Sequence, residues 1–529
     1  MKNLIFKILK YFILRNYFYK IYLNFPEKNN FKGINNFDPI DQKKKSLKSL
    51  ISLKNNYFSQ ESKNMISLEL HSFDWLSDFK LLGGVDLIKK SRLLIIDWLS
   101  CNSKLYSNIW DDIIVARRLI NLSKNYDFFA LTSDESFKAR INKLIIFHFR
   151  HLKTLQKLNP EKNESDIEVS KALLIFSKQF NMENYYYNIS NQIKNQIFYQ
   201  INDQGFHKSI NVNEHARFIN QLLQIKNIFL FYNSSIFNEI DLYIADMTSL
   251  LKNLFHLDNT LALFNGTNNI KLDFVKNIAN IQKDIKTKGL FNVNDGLAVV
   301  NSEKTKLFFD ITKPNSKQLN RKLHSGTLSF ELSNNGEKII TNCGSPEKYL
   351  GKNQVFFRYS AAHSTIVIND TNISELSEKN GYKRIPKRII SSFENSTENF
   401  ILNASHDGYS NNFNLLIKRT IKVSKNGNII LGTDQIIAMK KLTKLHFYSI
   451  RFHLMPNCNC AITNNEKKVI IKTKKGNAWY FESLENKIIV DESIYIGDGE
   501  SPVESKQIIL SGKTTKQKNV INWMLKKAN

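Results

Sequence analysis

Residues 324–345, HSGTLSFELSNNGEKIITNCGS, mark the place where the chain changes its hydrophobic period. From Thr327 to Ser333 apolar and polar residues alternate, as in a half-buried strand, and Asn334-Asn335-Gly336 supplies the chemistry of a tight turn. His324 opens this strand pattern and Asn342 closes the next, so a hairpin brings the two side chains close together. Downstream, Ser364 to Asn369, Leu416 to Val423, Asn428 to Thr433, Val469 to Thr473, Ala478 to Ser483 and Gln507 to Leu510 are further short β-branched or alternating runs, with Gly427 and Gly476 among the turn residues between them. Many short strands separated by turns predict an antiparallel β-sandwich or barrel.

Upstream the period is helical. Residues 84–100, 110–123, 137–157, 168–180 and 213–231 carry apolar side chains at three-to-four spacing, broken at Asn- and Asp-rich clusters such as Asn159-Pro160-Glu161-Lys162-Asn163. Amphipathic helices joined by short connections require helix-on-helix packing. The polar stretch near residues 282–298 is the expected boundary. The reading is therefore α+β and multidomain: an N-terminal basic segment (1–45), a helical domain (46–290) and a β-sandwich domain (291–529).

Composition bounds the function. The chain has 529 residues, 42% hydrophobic and 23% charged, which excludes a disordered protein. Its 75 Lys+Arg against 48 Asp+Glu give a formal charge of +27, which favours a polyanionic partner. An AT-rich coding bias, visible in the abundance of Lys, Asn and Ile, explains the same excess equally well. The basic residues are scattered, and no helix-turn-helix or RNP-like motif occurs, so nucleic acid is not an expected partner. Cys101, Cys343, Cys458 and Cys460 make no disulfide framework, and Cys458-x-Cys460 lacks the second pair that a zinc ribbon needs. There is no GxGxxG after a strand, no Walker loop, no HExxH and no GxSxG.

In the N-terminal stretch MKNLIFKILKYFILRNYFYKIYLNFP, Lys7, Lys10, Arg15 and Lys20 interrupt the apolar residues. The longest clean run, Tyr11 to Leu14, is too short for a signal-peptide core or a membrane span. Two readings stay open: a basic amphipathic helix in peripheral contact with an anionic membrane, or a helix packed on the protein's own body. The absence of a visible export signal points to the cytoplasm.

Three polar constellations are candidates for chemistry. In the first, His207, Asn211 and His215 gather at the start of a helix whose stripe is Phe218, Leu222, Ile225 and Phe229. His215 continues that stripe, so it reads either as a core histidine or as a member of a site. The second joins Lys322 and His324 to Asn342, and the third is Arg358-Tyr359-Ser360-Ala361-Ala362-His363. Two histidines and an amide at neighbouring strand ends suggest a divalent metal, zinc or calcium, but His324, Asn342 and His363 lack a fourth ligand. No cofactor is otherwise indicated. His406-Asp407-Gly408-Tyr409 reads as well as a turn.

At these residues the chain resembles the heparinase II/III family, most closely its alphaproteobacterial branch. The resemblance rests on His324-Ser-Gly-Thr-Leu-Ser-Phe-Glu, Asn342-Cys-Gly-Ser-Pro, Ala361-Ala-His-Ser-Thr365, Ser405-His-Asp-Gly-Tyr409, Arg451-Phe-His-Leu-Met-Pro456 and Trp479-Tyr-Phe-Glu482. In the first half it includes His71-Ser-Phe-Asp-Trp75, Ala116-Arg-Arg-Leu119 and Leu263-Phe-Asn-Gly266. It implies an N-terminal incomplete (α/α) toroid followed by a C-terminal antiparallel β-sandwich. It also implies a lyase that cleaves a uronate-containing acidic polysaccharide by β-elimination in the cleft between them. A placement in the cell envelope is implied too, against the missing export signal. Carried over by position, Asn211 and His215 bind the carboxylate and act as base or orienter, and His207 lies beside them. His324, Asn342 and His363 fall on the metal positions; Arg217, Asn265 and Arg358 are expected substrate contacts. Lys322 stands where the family has its first histidine, Asn342 where it has an aspartate, and Leu263–Asn269 contains no tyrosine. On this reading Lys322 would neutralise the carboxylate and Tyr359 would replace the base. The alternative is a catalytically degenerate protein that binds an acidic polysaccharide or assembles an envelope glycan.

Overall fold

The computed structural model describes residues 2–26, 31, 57–60, 68–102, 104–158, 167–232, 238–281, 289–292, 296–302, 304–314, 319–347, 351–377, 381–463 and 466–528. The expected boundary at 282–298 falls largely outside them. The chain divides into two compact units, Met1–Tyr199 with Asn220–Leu242, and Gln200–Ile219 with Tyr243–Asn529.

The first unit is helical. Val85–Cys101, Asp112–Lys124, Glu135–Leu158 and Ile167–Gln179 lie within a residue or two of the periodic segments. Their core is aromatic around one cation. Arg118 is fully buried, its guanidinium 4.1 Å from the Trp98 ring centre and 5.1 Å from that of Trp110. Trp98 donates its indole N–H to His71 Nδ1 at 2.9 Å. Motif residues His71, Trp75 and Arg118 are thus core members. The N-terminal helices Lys2–Arg15 and Tyr17–Asn24 pack on this body through Leu14, Tyr19 and Leu23. Tyr19 Oη meets His151 Nδ1 at 2.8 Å, and Lys10 pairs with Asp111 at 3.3 Å. No helix among the described residues is long and apolar enough to cross a membrane.

The second unit is built on two antiparallel sheets. The main path of one runs Gly289–Asn292, Leu297–Asn301, Thr305–Asp310, Phe330–Asn334, Glu337–Thr341, Phe447–Leu454, Val503–Lys513, Ile488–Tyr495, with Ile366–Ile368 also pairing Phe447–Leu454. The other runs Asn459–Ile462, Lys468–Lys472, Ala478–Glu482, Lys518–Lys527, Ile429–Ala438, Leu415–Ser424, Asn399–Tyr409, Ile389–Asn395. One core joins them. Phe330 stacks on Trp523 with centroids 5.6 Å apart, and Phe452 and Phe481 complete the group. Gly432 is required here, because a Cβ at that position would lie 1.9 Å from the Trp523 ring.

The strand expected at Thr327–Ser333 begins only at Phe330. Leu328 adopts φ +61°, so the chain turns there, and its N–H donates to Asp310 O at 2.9 Å. Phe330–Asn334 and Glu337–Thr341 are buried along their whole length, so the alternation of TLSFELS does not mark one wet face. All four cysteines are free.

Candidate active site

Asn211 and its neighbours belong to the second unit. Ile210 has φ +55°, a rare conformation for a β-branched residue, and it turns Asn211 into the first turn of the helix Val212–Phe231. Asn211 Oδ1 accepts from Glu214 N–H at 3.0 Å, capping the helix, and its Nδ2 donates to Asn265 O at 2.9 Å. His215 is fully buried. Its Nε2–H donates to Met247 O at 2.8 Å, and Nδ1 accepts the His207 backbone N–H at 3.2 Å. His207 Nδ1 meets Ser209 Oγ at 2.7 Å and its Nε2 meets Gln200 Oε1 at 3.4 Å. Burial pushes both imidazoles down to about 3, so they are neutral. These two histidines hold the backbone that carries Asn211.

Loop 263–269 fits against that helix start. Thr267 Oγ1 accepts Val212 N–H, and Asn213 and Asn268 exchange two amide–backbone bonds of 2.9 and 3.0 Å. Asn265 (φ +49°) and Gly266 (φ +86°) make consecutive left-handed steps. A Cβ on Gly266 would lie 2.9 Å from Lys322 Cβ and 3.1 Å from Asn211 Nδ2. The bare backbone therefore lets Lys322 and Asn211 both pack against Gly266. The Lys322 side chain is 53% exposed, with Nζ 3.7 Å from Glu214 and 3.9 Å from Glu347. Arg217 holds Glu214 with bonds of 2.9 and 3.0 Å. Asn265 turns its Oδ1 to His324 N–H at 3.2 Å and its Nδ2 to Thr312 Oγ1.

Beyond Lys322, His324 Nδ1 and His363 Nε2 are 3.1 Å apart. His363 Nδ1 lies 2.8 Å from the Tyr359 carbonyl, which can only accept, so that nitrogen carries the proton. Burial holds His363 neutral, with its pKa near 4, and its Nε2 therefore accepts from His324 Nδ1–H. Burial, with His363, Arg358 and Lys322 nearby, keeps His324 neutral as well. Its remaining nitrogen, Nε2, is thus an unprotonated lone pair. No hydrogen bond from this nitrogen is formed among the described residues, in a side chain that is buried. Gly326 makes room for the arrangement, since a Cβ there would lie 2.6 Å from the His363 ring.

The donor set falls short of a zinc or calcium shell. Asn342 is a neutral amide whose Oδ1 already accepts Ser364 N–H at 3.1 Å, and its Nδ2 faces Leu263 O. Two imidazole nitrogens are half of a zinc shell and contain no oxygen for calcium. No cluster of three or more His, Cys, Asp or Glu forms among the described residues.

The other candidates, Arg358 and Tyr359, flank this group. Arg358 is spent on backbone carbonyls, Leu323 O at 3.0 Å and Gly381 O at 2.7 Å. Tyr359 borders a cavity of about 490 Å³ with Asn372, Glu375, Arg384 and Asn412. Its carbonyl, not its ring, touches His363.

Two supports were not singled out from the sequence. Glu331 is fully buried and accepts five hydrogen bonds: Thr341 Oγ1 and Asn342 N–H on Oε1; His256 Nε2, Leu263 N–H and Lys338 Nζ on Oε2. Burial alone would raise its pKa, but Lys338, His256 and the other donors outweigh it and hold the carboxyl at about 2. It fastens the start of loop 263–269 to Asn342. Arg419 pairs with Asp434 at 2.6 and 3.0 Å and gives Nη1 to Leu328 O and Ser364 O, both at 2.8 Å. It thereby fixes the segments that carry His324 and His363.

Residues 288–524 match the family model for the heparinase II/III-like C-terminal domain. No curated protein sequence matches the chain. Among solved structures, heparinase III superposes with a TM-score of 0.72 at 15% identity over 90% of this chain and 80% of that one. A mutant of heparan sulfate lyase HepC from Pedobacter heparinus gives 0.67 at 13% identity, over 90% and 79%. A Paenibacillus xanthan lyase gives 0.50 at 9% identity, over 91% and 60%. At such identities the likeness is one of fold: a helical N-terminal part followed by antiparallel sheets, as in heparinase III.

Proposed function

We propose that this chain, whose residues 288–524 match the family model for the heparinase II/III-like C-terminal domain, is a polysaccharide lyase acting on a uronate-containing acidic polysaccharide. Elimination needs three things at one sugar: a neutralised carboxylate, a base for the C5 proton, and a proton for the departing oxygen. Lys322, the exposed cation beside Gly266, meets the carboxylate and stabilises the charge that spreads onto it as C5 loses its proton. His324 Nε2, the unprotonated nitrogen, takes that proton. The C5–H electrons form the C4–C5 double bond, the C4–O bond breaks, and the imidazolium returns its proton to the glycosidic oxygen. His363 orients His324, while His207 and His215 act as positioning residues beneath Asn211.

The observation that carries the reading is the fixed tautomer chain from Tyr359 O through His363 to His324. Purified protein incubated with a panel of uronate polymers, heparan sulfate among them, should generate the ultraviolet absorbance of an unsaturated uronate. His324→Ala and Lys322→Ala should each lower the initial rate at least about a hundredfold. No absorbance with any polymer sinks the proposal. A second reading, binding without cleavage, is favoured by Lys322 at the position of the family's first histidine. Affinity unchanged in His324→Ala but lost in Lys322→Ala, with no new absorbance, would establish it.

A further inference from the structure

The two N-terminal helices are apolar on two sides. One side is used: Leu14, Tyr19 and Leu23 are buried against the helical body. The other is not. In Lys2–Arg15, Ile5, Ile8, Leu9 and Phe12 recur at i, i+3, i+4, i+7 and are 51, 47, 43 and 65% exposed. In the second helix and its end, Phe18, Ile21, Tyr22 and Phe25 repeat that spacing at 76, 45, 46 and 65%. Two consecutive helices thus each expose an apolar stripe, with Tyr22 approached by the body through Arg150 at 5.8 Å from its ring centre, and such surface is of the kind that marks an interaction site. Its charge is of one sign: Lys7, Arg15 and Lys20 lie among these residues, and no Asp or Glu occurs from residue 2 through 26.

We infer that the helix pair Lys2–Arg15 and Tyr17–Asn24 lies in the plane of an anionic lipid surface, with Phe12 and Phe18 inserted below the headgroups. An amphipathic helix with aromatic and aliphatic side chains beside cations binds at that depth through buried apolar area plus attraction to anionic lipid. The underside supports the orientation. Tyr19, Lys10 and Arg150, the last bonded to Tyr22 O at 3.3 Å, pin the helices to the body, so the stripe faces away from it. A cavity of about 360 Å³ next to Lys20 carries the same chemistry, with Trp98, Trp110 and Phe147 as apolar walls and Arg140 and Lys143 as cations.

The test is sedimentation of the full chain with vesicles of pure phosphatidylcholine, or of equal parts phosphatidylcholine and phosphatidylglycerol. Binding to the mixed vesicles should exceed binding to the neutral ones. Phe12→Ser with Phe18→Ser, and separately Lys7→Glu with Lys20→Glu, should each weaken it roughly tenfold. These side chains are exposed, so the unfolding midpoint should not move. Equal binding to both vesicles, or binding indifferent to the phenylalanine pair, overturns the inference. So does a dimer in solution that the phenylalanine variant dissociates while vesicles bind nothing, because a second copy would then cover the stripe.

Discussion

At the residue scale, the site depends on places where a side chain is missing or strained. Gly266 is the sharpest case. Its φ of +86° and the two atoms within 3.1 Å of a would-be Cβ mean that Gly266→Ala must displace Lys322. We predict that this variant folds, loses about 1–3 kcal/mol of stability, and loses lyase rate out of proportion to that change. Initial rates beside a denaturant midpoint check it; an unchanged rate would show that the placement of Lys322 beside Gly266 is irrelevant. Most of the candidate residues were legible individually, as polar types at the ends of apolar runs. Their division of labour was not. His215 continued the Phe218–Leu222 stripe, and the structure gives both its nitrogens to backbone groups, which spacing alone does not reveal.

At the scale of elements, the period change near residue 290 separated helices from strands, and the helical segments landed within a few residues of their observed ends. Glu331 was missed because strict alternation placed it on a solvent face, whereas the strand is buried on both. Arg419 did carry a signal. It falls in phase with Leu415, Ile417, Ile421 and Val423, all inward, and directly across the ladder from Asp434. A charge on the interior phase of one strand opposite its counter-charge on the next is a buried ion pair in outline. Removing one partner leaves the other uncompensated, so Arg419→Met or Asp434→Asn should cost about 3–5 kcal/mol. The double variant Arg419→Met with Asp434→Asn, which leaves neither charge behind, should recover part of that loss. Chemical denaturation of the three proteins measures it, and additive losses would contradict a coupled pair.

At the scale of the whole molecule, the buried neutral histidines set the acid limit. His207, His215, His406 and His453 are all held at about 3 by burial, below the 6.5 of an unfolded chain. Below pH 6.5 the unfolded state binds protons that the folded state refuses, so stability is complete above that pH and falls as pH drops towards 3. Each group contributes about 1.4 kcal/mol per pH unit once its unfolded form is protonated, roughly 5 for the four together. The thermal midpoint should therefore drop steeply between pH 6.5 and 5, and a flat profile there would show that these imidazoles are not neutral inside. None of this was visible in the net charge of +27, which counts histidine as neutral and says nothing of where it is buried.

The clasp between the start of helix Val212–Phe231 and loop 263–269 has a different consequence. Asn211, Asn213, Asn265, Thr267 and Asn268 join the two with amide, hydroxyl and backbone groups alone, without a single formal charge. Mobile ions screen exposed cations such as Lys322 but leave neutral hydrogen bonds alone. On the proposed function, raising ionic strength should thus release an acidic polymer without unfolding the protein. The ionic-strength dependence of KM would then read the attraction proposed between Lys322 and a uronate carboxylate, against a scaffold that stays constant.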